Sequence, residues 1–418
     1  MKSRRRCILG LVFTLAGCSG EDVGADGEIP RYPYVTSVDV AGCAVPDACD
    51  VLSVPCQQQW MATLGCLRGR DPMSVPIRII DKATFESELA ADPPEPRPVP
   101  DHWERAFVML GFVQPGAFQP AALSTERVEN AAAYYQSEIG EITIVGRGLP
   151  ADGITQNSVL VHELVHAAQD QELGLEPFLE TYATSSDSSL AARALIEGEA
   201  SLYDTLVAGA LNGIDVGELD LATIVQRKRE FMLESALEAP SPYVMAQYTL
   251  PYGLGEPFVE RAFSAGGADA IRELYDAPPL SVRQLLLLDL SGEQALAPAD
   301  QLDVEALSAE GFVHDGWDSL GVLGLLLYGG AAQRDTMLKL GAALRSDRLD
   351  VLASGFETAL VWQLAFTDVA SAQEFLASYD GSYSSGPGSW YDLGGGALVF
   401  VAAGDLLLQS ELARALGL

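Results

Sequence analysis

Two histidines stand four residues apart in SVLVHELVHAAQDQE, His162 and His166, and Glu163 directly follows the first. On a helix, positions i and i+4 share one face, about 6 Å apart, so two imidazoles can aim nitrogens at one ion. A hydrolytic zinc site takes three protein ligands and leaves one position for water. Zinc lowers the pKa of that water toward ~7, and a carboxylate beside the first ligand can take the proton. This is the chemistry of the H-E-x-x-H pattern. The chain has 418 residues and only four histidines, so a chance match is on the order of one in a few hundred. His102 and His314 lie outside the pattern and are expected to be structural or surface residues.

Such a site needs a third ligand. The stretch IEGEA offers Glu197 and Glu199 on a predicted helix. Each helical residue turns by ~100°, so the two carboxylates point in widely different directions and at most one faces the metal. Glu199 shares a stripe with Leu195, Ile196 and Leu202. Glu197 shares a small, polar face with Ala194, Ser201 and Asp204, suited to groups that support a ligand. Pattern alone does not choose between them. A donor for the oxyanion of acyl transfer is also expected. Tyr252, Tyr203 and His314 are the candidates, and each also fits a packing role.

The elements around these residues follow from local signals. VPIRIID (75–81) alternates and is β-branched, which predicts a strand. ATFESELAA and HWERAFVMLGF read as helices on either side of the proline-rich break at 93–100, with Asp101 able to cap the second. GEITIVGRG (140–148) is a predicted strand. Asn157 or Ser158 can cap the motif helix, from about Val159 to Gln171. TSSDSS (184–189) starts the helix that carries IEGEA. Residues 221–237 read as helical, 251–280 as a turn and two helices, and 318–344 as helical. Toward the C-terminus TALVWQLAF and ALVFVAA are predicted strands. Asp368 and Asp405 can each open a helix, and a Gly/Ser-rich loop spans 380–396.

Composition narrows the setting. The 58 Asp+Glu against 25 Lys+Arg argue against nucleic acid or an anionic membrane surface as partner. The N-terminus, MKSRRRCILGLVFTLAGCSG, is basic and then apolar over too short a run to span a bilayer. Its end, Leu15-Ala16-Gly17-Cys18, resembles the lipobox of bacterial lipoproteins, which implies loss of residues 1–17 and acylation of Cys18. Ser19 in place of Asp implies the outer membrane, and attached lipid makes such anchoring stable. Four cysteines then remain, Cys43, Cys49, Cys56 and Cys66. In an exported chain they read as two structural disulfides, with three possible connectivities. No G-x-S-x-G, G-x-x-x-x-G-K or G-x-G-x-x-G occurs, so serine hydrolysis and nucleotide binding have no support.

HELVH followed by an E-G-x-A helix resembles the gluzincin branch of the zincin metallopeptidases, in which the third ligand is a glutamate on a second helix. The resemblance maps that ligand onto Glu197. It also places an Asp that orients a ligand at Asp170, one turn beyond His166. A longer likeness, over about 140–285, is to uncharacterised bacterial and archaeal proteins regarded as metallopeptidases. Their shared motifs read here as LVHELVHAAQDQ, SDSSLAARALIEGEA, PYGLGEPFVERAF and LYDAPPLS. This chain departs from them at VRQLLLLDL, where relatives often carry His-Pro. In zincins an edge strand beside the motif helix receives an extended peptide. EITIVGRG is the candidate here, with an ordinary sheet strand as the equal alternative.

The expected fold is therefore α+β: a mainly helical zincin-like core with a small β-sheet, and a C-terminal strand–helix module. The expected organisation is a signal peptide (1–17), a tether (18–40), a cysteine-stapled segment (41–71), a catalytic domain (72–300) and a C-terminal α/β segment (301–418). The expected activity is zinc-dependent hydrolysis of a peptide or protein substrate by a lipid-anchored envelope protein, with one zinc held by His162, His166 and Glu197 and with Glu163 as base. The alternatives are an inactive zincin-like binding or scaffold lipoprotein, and a structural lipoprotein with an accidental motif.

Overall fold

The computed structural model describes residues 8–9, 43–71, 73–91, 101–117, 132–146, 152–214, 216–291, 302–304, 307–308, 311–354, 357–378 and 388–418. Cys18, the lipobox and the tether lie outside these residues. In chain order the elements are β1 (Ile8–Leu9), α1 (Val54–Leu67), β2 (Ile77–Ile80), α2 (Lys82–Ala91), α3 (Asp101–Met109), β3 (Ala133–Gln136) and β4 (Glu141–Val145). There follow α4 (Gly153–Leu173), α5 (Leu175–Tyr182), α6 (Ser186–Leu211), α7 (Leu221–Glu238), α8 (Pro242–Asp276) and α9 (Val282–Leu287). The remainder is β5 (Val313–Asp318), α10 (Gly321–Gly329), α11 (Arg334–Ala343), β6 (Leu344–Ser354), β7 (Glu357–Phe366), α12 (Val369–Ser378), β8 (Gly388–Gly394), β9 (Ala397–Ala403) and α13 (Leu406–Ala415). The fold is α+β and mainly helical. No helix among the described residues is long and apolar enough to cross a membrane.

The first sheet has the order β1-β3-β4-β2, with β4 parallel to β2 and antiparallel to β3. EITIV is thus paired on both sides and is an ordinary interior strand, so the edge-strand expectation for it is corrected. The strand between it and the edge is β3, AYYQ, which the sequence reading did not find. Only the two residues of β1 pair on its outer side.

The second sheet, β5-β6-β7-β9-β8, is antiparallel throughout. Trp362, Leu364 and Phe400 on one face join the main core, while Val361, Val399 and Val401 on the other pack with Leu412 of α13. Burial on both faces explains why β7 is apolar on both, interrupted by the buried Gln363, whose oxygen accepts from the Leu302 amide at 3.0 Å. The main core is continuous, taking in Trp60 of α1, Leu160 of α4, Leu195 of α6, Phe258 of α8 and Trp362 of β7.

The stapled segment resolves its connectivity as Cys43–Cys66 and Cys49–Cys56. It docks on α4 through Asn157. That side chain accepts from Trp60 Nε1 at 2.5 Å and donates to the Cys49 carbonyl at 2.9 Å. Asn157 is therefore not the helix cap, and neither is Ser158. Asp152 caps α4, accepting from the Thr155 amide at 2.7 Å.

PYGLG, expected as a turn, lies inside α8, which runs on through Pro251 and Pro257 and breaks at Gly266 and Gly267. An internal proline costs about 3 kcal/mol, and the burial of Tyr252, Leu254, Phe258 and Val259 on this stretch offsets it. The glycines serve close packing. A Cβ on Gly255 would stand 1.8 Å from the Ala194 carbonyl oxygen, and one on Gly198 would stand 2.3 Å from the Gly255 carbonyl carbon. Helix α8 can thus press its backbone against α6 at the position between Glu197 and Glu199.

Candidate metal centre

Helices α4 and α6 bring three side chains to one point. His162 Nε2 lies 3.1 Å from His166 Nε2, and Glu197 Oε2 lies 3.2 Å from each nitrogen. All three residues are buried. Two nitrogens and one carboxylate oxygen within 4.8 Å of one another could hold a metal ion. Among the described residues, these three form the single such group.

The choice between the two glutamates is set by rotation on α6. Glu197 points at the histidines. Glu199 points away and accepts from Arg68 Nε at 3.0 Å, from Tyr275 Oη at 2.7 Å and from Gln169 Nε2 at 2.9 Å. The apolar stripe on which the sequence places Glu199 is real, but it encloses a charge that Arg68 neutralises.

Glu163 is fully buried beside the histidines, and both of its carboxylate oxygens lack a hydrogen-bond partner. Burial raises its pKa, while the imidazoles of His166 and His162 pull the other way and Glu197 adds to the rise. The backbone of Tyr135 in β3 also faces this carboxylate. A buried carboxylate without a hydrogen-bond partner costs several kcal/mol of lost solvation, and here the neighbouring imidazoles of His166 and His162 offset part of that cost.

The electrostatics favour positive charge at the centre. Burial opposes protonation of His162, but the carboxylates of Asp204, Glu197 and Glu163 raise its pKa to about 10. Burial likewise opposes ionisation of Glu197, yet the two imidazoles hold it well below the usual carboxylate range. A metal cation would take the place of the proton these groups compete for.

The supporting partners differ from those expected. Asp170 does not meet an imidazole. Its carboxylate accepts from Tyr135 Oη and from the Leu175 amide, each at 2.8 Å, and so ties β3 to the start of α5. Gln169, one residue earlier, accepts at His166 Nδ1 at 2.9 Å. A turn of ~100° separates the two positions, and the unread strand β3 supplies the hydroxyl that claims Asp170. Asp204, on the polar face of α6 read from the sequence, approaches His162 Nδ1 at 3.7 Å, within ion-pair range and longer than a hydrogen bond. Behind it Lys228 pairs with Glu256 at 2.7 Å. Arg68 and Lys228 stand outside every motif and meet their partners from distant segments, while Gln169 and Glu256 lie inside motif stretches that do not single them out.

Of the three oxyanion candidates, Tyr252 alone stacks on a residue of this group, with its ring 5.8 Å from that of His162. Tyr203 lies in the field of Glu199 and Arg68, with its hydroxyl unpartnered. His314 pairs with Asp350 at 2.8 Å in the second sheet, and His102 Nδ1 meets Thr358 Oγ1 at 2.8 Å. Compared with protein-family models, curated proteins and solved structures, the chain matches none.

Proposed function

We propose that this chain is a zinc-dependent peptidase of gluzincin type, exported and anchored by an acylated Cys18. His162, His166 and Glu197 hold the zinc, and Glu163 is the general base. The observation that carries this reading is the convergence of two imidazole nitrogens and one carboxylate oxygen beside a second, unpartnered carboxylate. Zinc bonds of about 2.0–2.1 Å in a tetrahedral array separate ligand atoms by about 3.3–3.4 Å. The separations of 3.1 and 3.2 Å fit that ion. When bound, zinc lowers the pKa of water and polarises a carbonyl.

The chain's own groups do the rest. Glu163 takes the water proton and returns it to the leaving amine. Strand β3 lies beside Glu163, and on the lipoprotein reading cleavage before Cys18 removes β1 from its edge. An extended peptide can then add to β3 as a further strand. Tyr252 is the candidate retained for the oxyanion.

Metal analysis of the full-length protein should find one zinc per chain, lost in His162→Ala. Glu163→Gln should keep the zinc and lower hydrolysis of a peptide library by about 10²–10⁴-fold. Unchanged hydrolysis in that variant defeats the reading. Zinc retention with no hydrolysis by the wild type supports the binding or scaffold alternative instead.

A further inference from the structure

The partners of Gln169 determine which of its ends faces His166. Its Nε2 lies 3.0 Å from the Ile196 carbonyl and 2.9 Å from Glu199 Oε2. Both are acceptors only, so the amide nitrogen belongs on that side. The oxygen must then be the end that meets His166 Nδ1 at 2.9 Å. An accepting oxygen there requires a proton on Nδ1. With that proton fixed, the lone pair of a neutral His166 is on Nε2, the atom that faces His162 and Glu197.

Gln169 is itself held from behind. Tyr275 Oη lies 2.8 Å from Gln169 Nε2 and donates to Glu199 Oε2 at 2.7 Å. Arg68 donates to Glu199 Oε1 at 3.0 Å and through Nη1 to Glu172 Oε1 at 2.7 Å. Burial opposes the charge on Arg68, but Glu199 and Glu172 outweigh it and raise its pKa. Arg68 stands two residues after Cys66, whose disulfide to Cys43 closes the stapled segment. A continuous set of hydrogen bonds thus joins that segment to the far nitrogen of a ligand.

We propose that Gln169 is a positioning residue that fixes the tautomer and orientation of His166, and that Arg68, delivered by the disulfide-stapled segment, locks it through Glu199 and Tyr275. The inference rests on the metal-centre reading above. It assigns the stapled segment a part in metal binding as well as in stability.

The test is a chelator-competition titration of the full-length chain with zinc alone, together with the visible spectrum of the cobalt-substituted protein. Gln169→Leu should weaken zinc binding by about 10–100-fold, the range for residues that orient a ligand, and should change the cobalt spectrum while the chain stays folded. Tyr275→Phe, which removes one hydroxyl, should weaken binding by a smaller factor in the same direction. Arg68→Met and Gln169→Leu should combine less than additively, because they interrupt one chain of bonds.

If the wild type binds zinc and folded Gln169→Leu binds it within twofold with an unchanged spectrum, the positioning role is wrong. If Gln169→Leu does not fold, full zinc affinity together with an unchanged cobalt spectrum in Tyr275→Phe overturns it equally. A wild type that binds no zinc defeats the underlying metal-centre reading and takes this inference with it.

Discussion

Asp187 and Glu197 are both buried on α6, and they meet opposite electrostatic fates. Asp187, near the start of the helix, accepts from the Val282 amide at 3.1 Å. Burial first, then the neighbouring Asp347 and Asp318, drive its pKa well above the usual range. Glu197 is as deeply buried, yet two imidazoles hold it ionised. Glu199, on the same helix, is met by Arg68. One helix therefore holds three buried acids in three settings, beside other carboxylates, between imidazoles and against a guanidinium. Burial does not tell them apart. Only around Glu197 do the surrounding groups present lone pairs to a shared point, and that separates a candidate ligand from a structural acid.

The strongest way to break the comparison is to replace the acids one at a time. Glu197→Ala should abolish measurable metal binding, a larger loss than the roughly 10–100-fold expected for a supporting residue. Isothermal titration with zinc checks it, and retained binding would place Glu197 with the structural acids. Glu199→Leu should strand Arg68 and cost about 3 kcal/mol in urea unfolding, with one zinc per chain still bound at saturation.

The smallest effect is expected at Asp187. Asp347 is raised to about 6, by burial above all, and Asp187 is raised well above its ordinary value by burial and then by Asp347 and Asp318. Between about pH 4 and about 6 the native chain holds protons that the unfolded chain has released, so stability falls as pH rises through that window. Asp187→Asn removes one of these groups. It should raise stability at pH 7 by on the order of 1 kcal/mol and make the decline from pH 4.5 to 7 shallower. A steeper decline would show that the two ends of α6 do not differ as described.

How much of this was legible in the sequence depends on whether the determining partner is local. The helix start in TSSDSS, where Ser185 proves to be the cap, and the caps Asp368 and Asp405 act within three residues and were readable. His162, Glu163 and His166 share one helix face, a property of spacing alone. Asn157 was misread because its partners, Trp60 and Cys49, come from a segment about a hundred residues away. Asp170 was misplaced because Tyr135 lies on a strand too short to announce itself. β8, GSWYDLG, falls inside the stretch 380–396 expected as a Gly/Ser-rich loop, and its pairing with β9 makes it a strand. In PYGLG, proline and glycine mark a turn by local rules, and helix packing overrode them.

The crossing of α6 and α8 at Gly198 and Gly255 sets a one-way constraint on how this protein can vary. Most packed pairs can drift together, one side chain shrinking as its neighbour grows. Here neither position has anything smaller to become, so an enlargement at one has no remedy at the other. A side chain at either glycine would force α6 and α8 apart at the residue next to Glu197, so the aim of that carboxylate depends on a segment some fifty residues further along the chain.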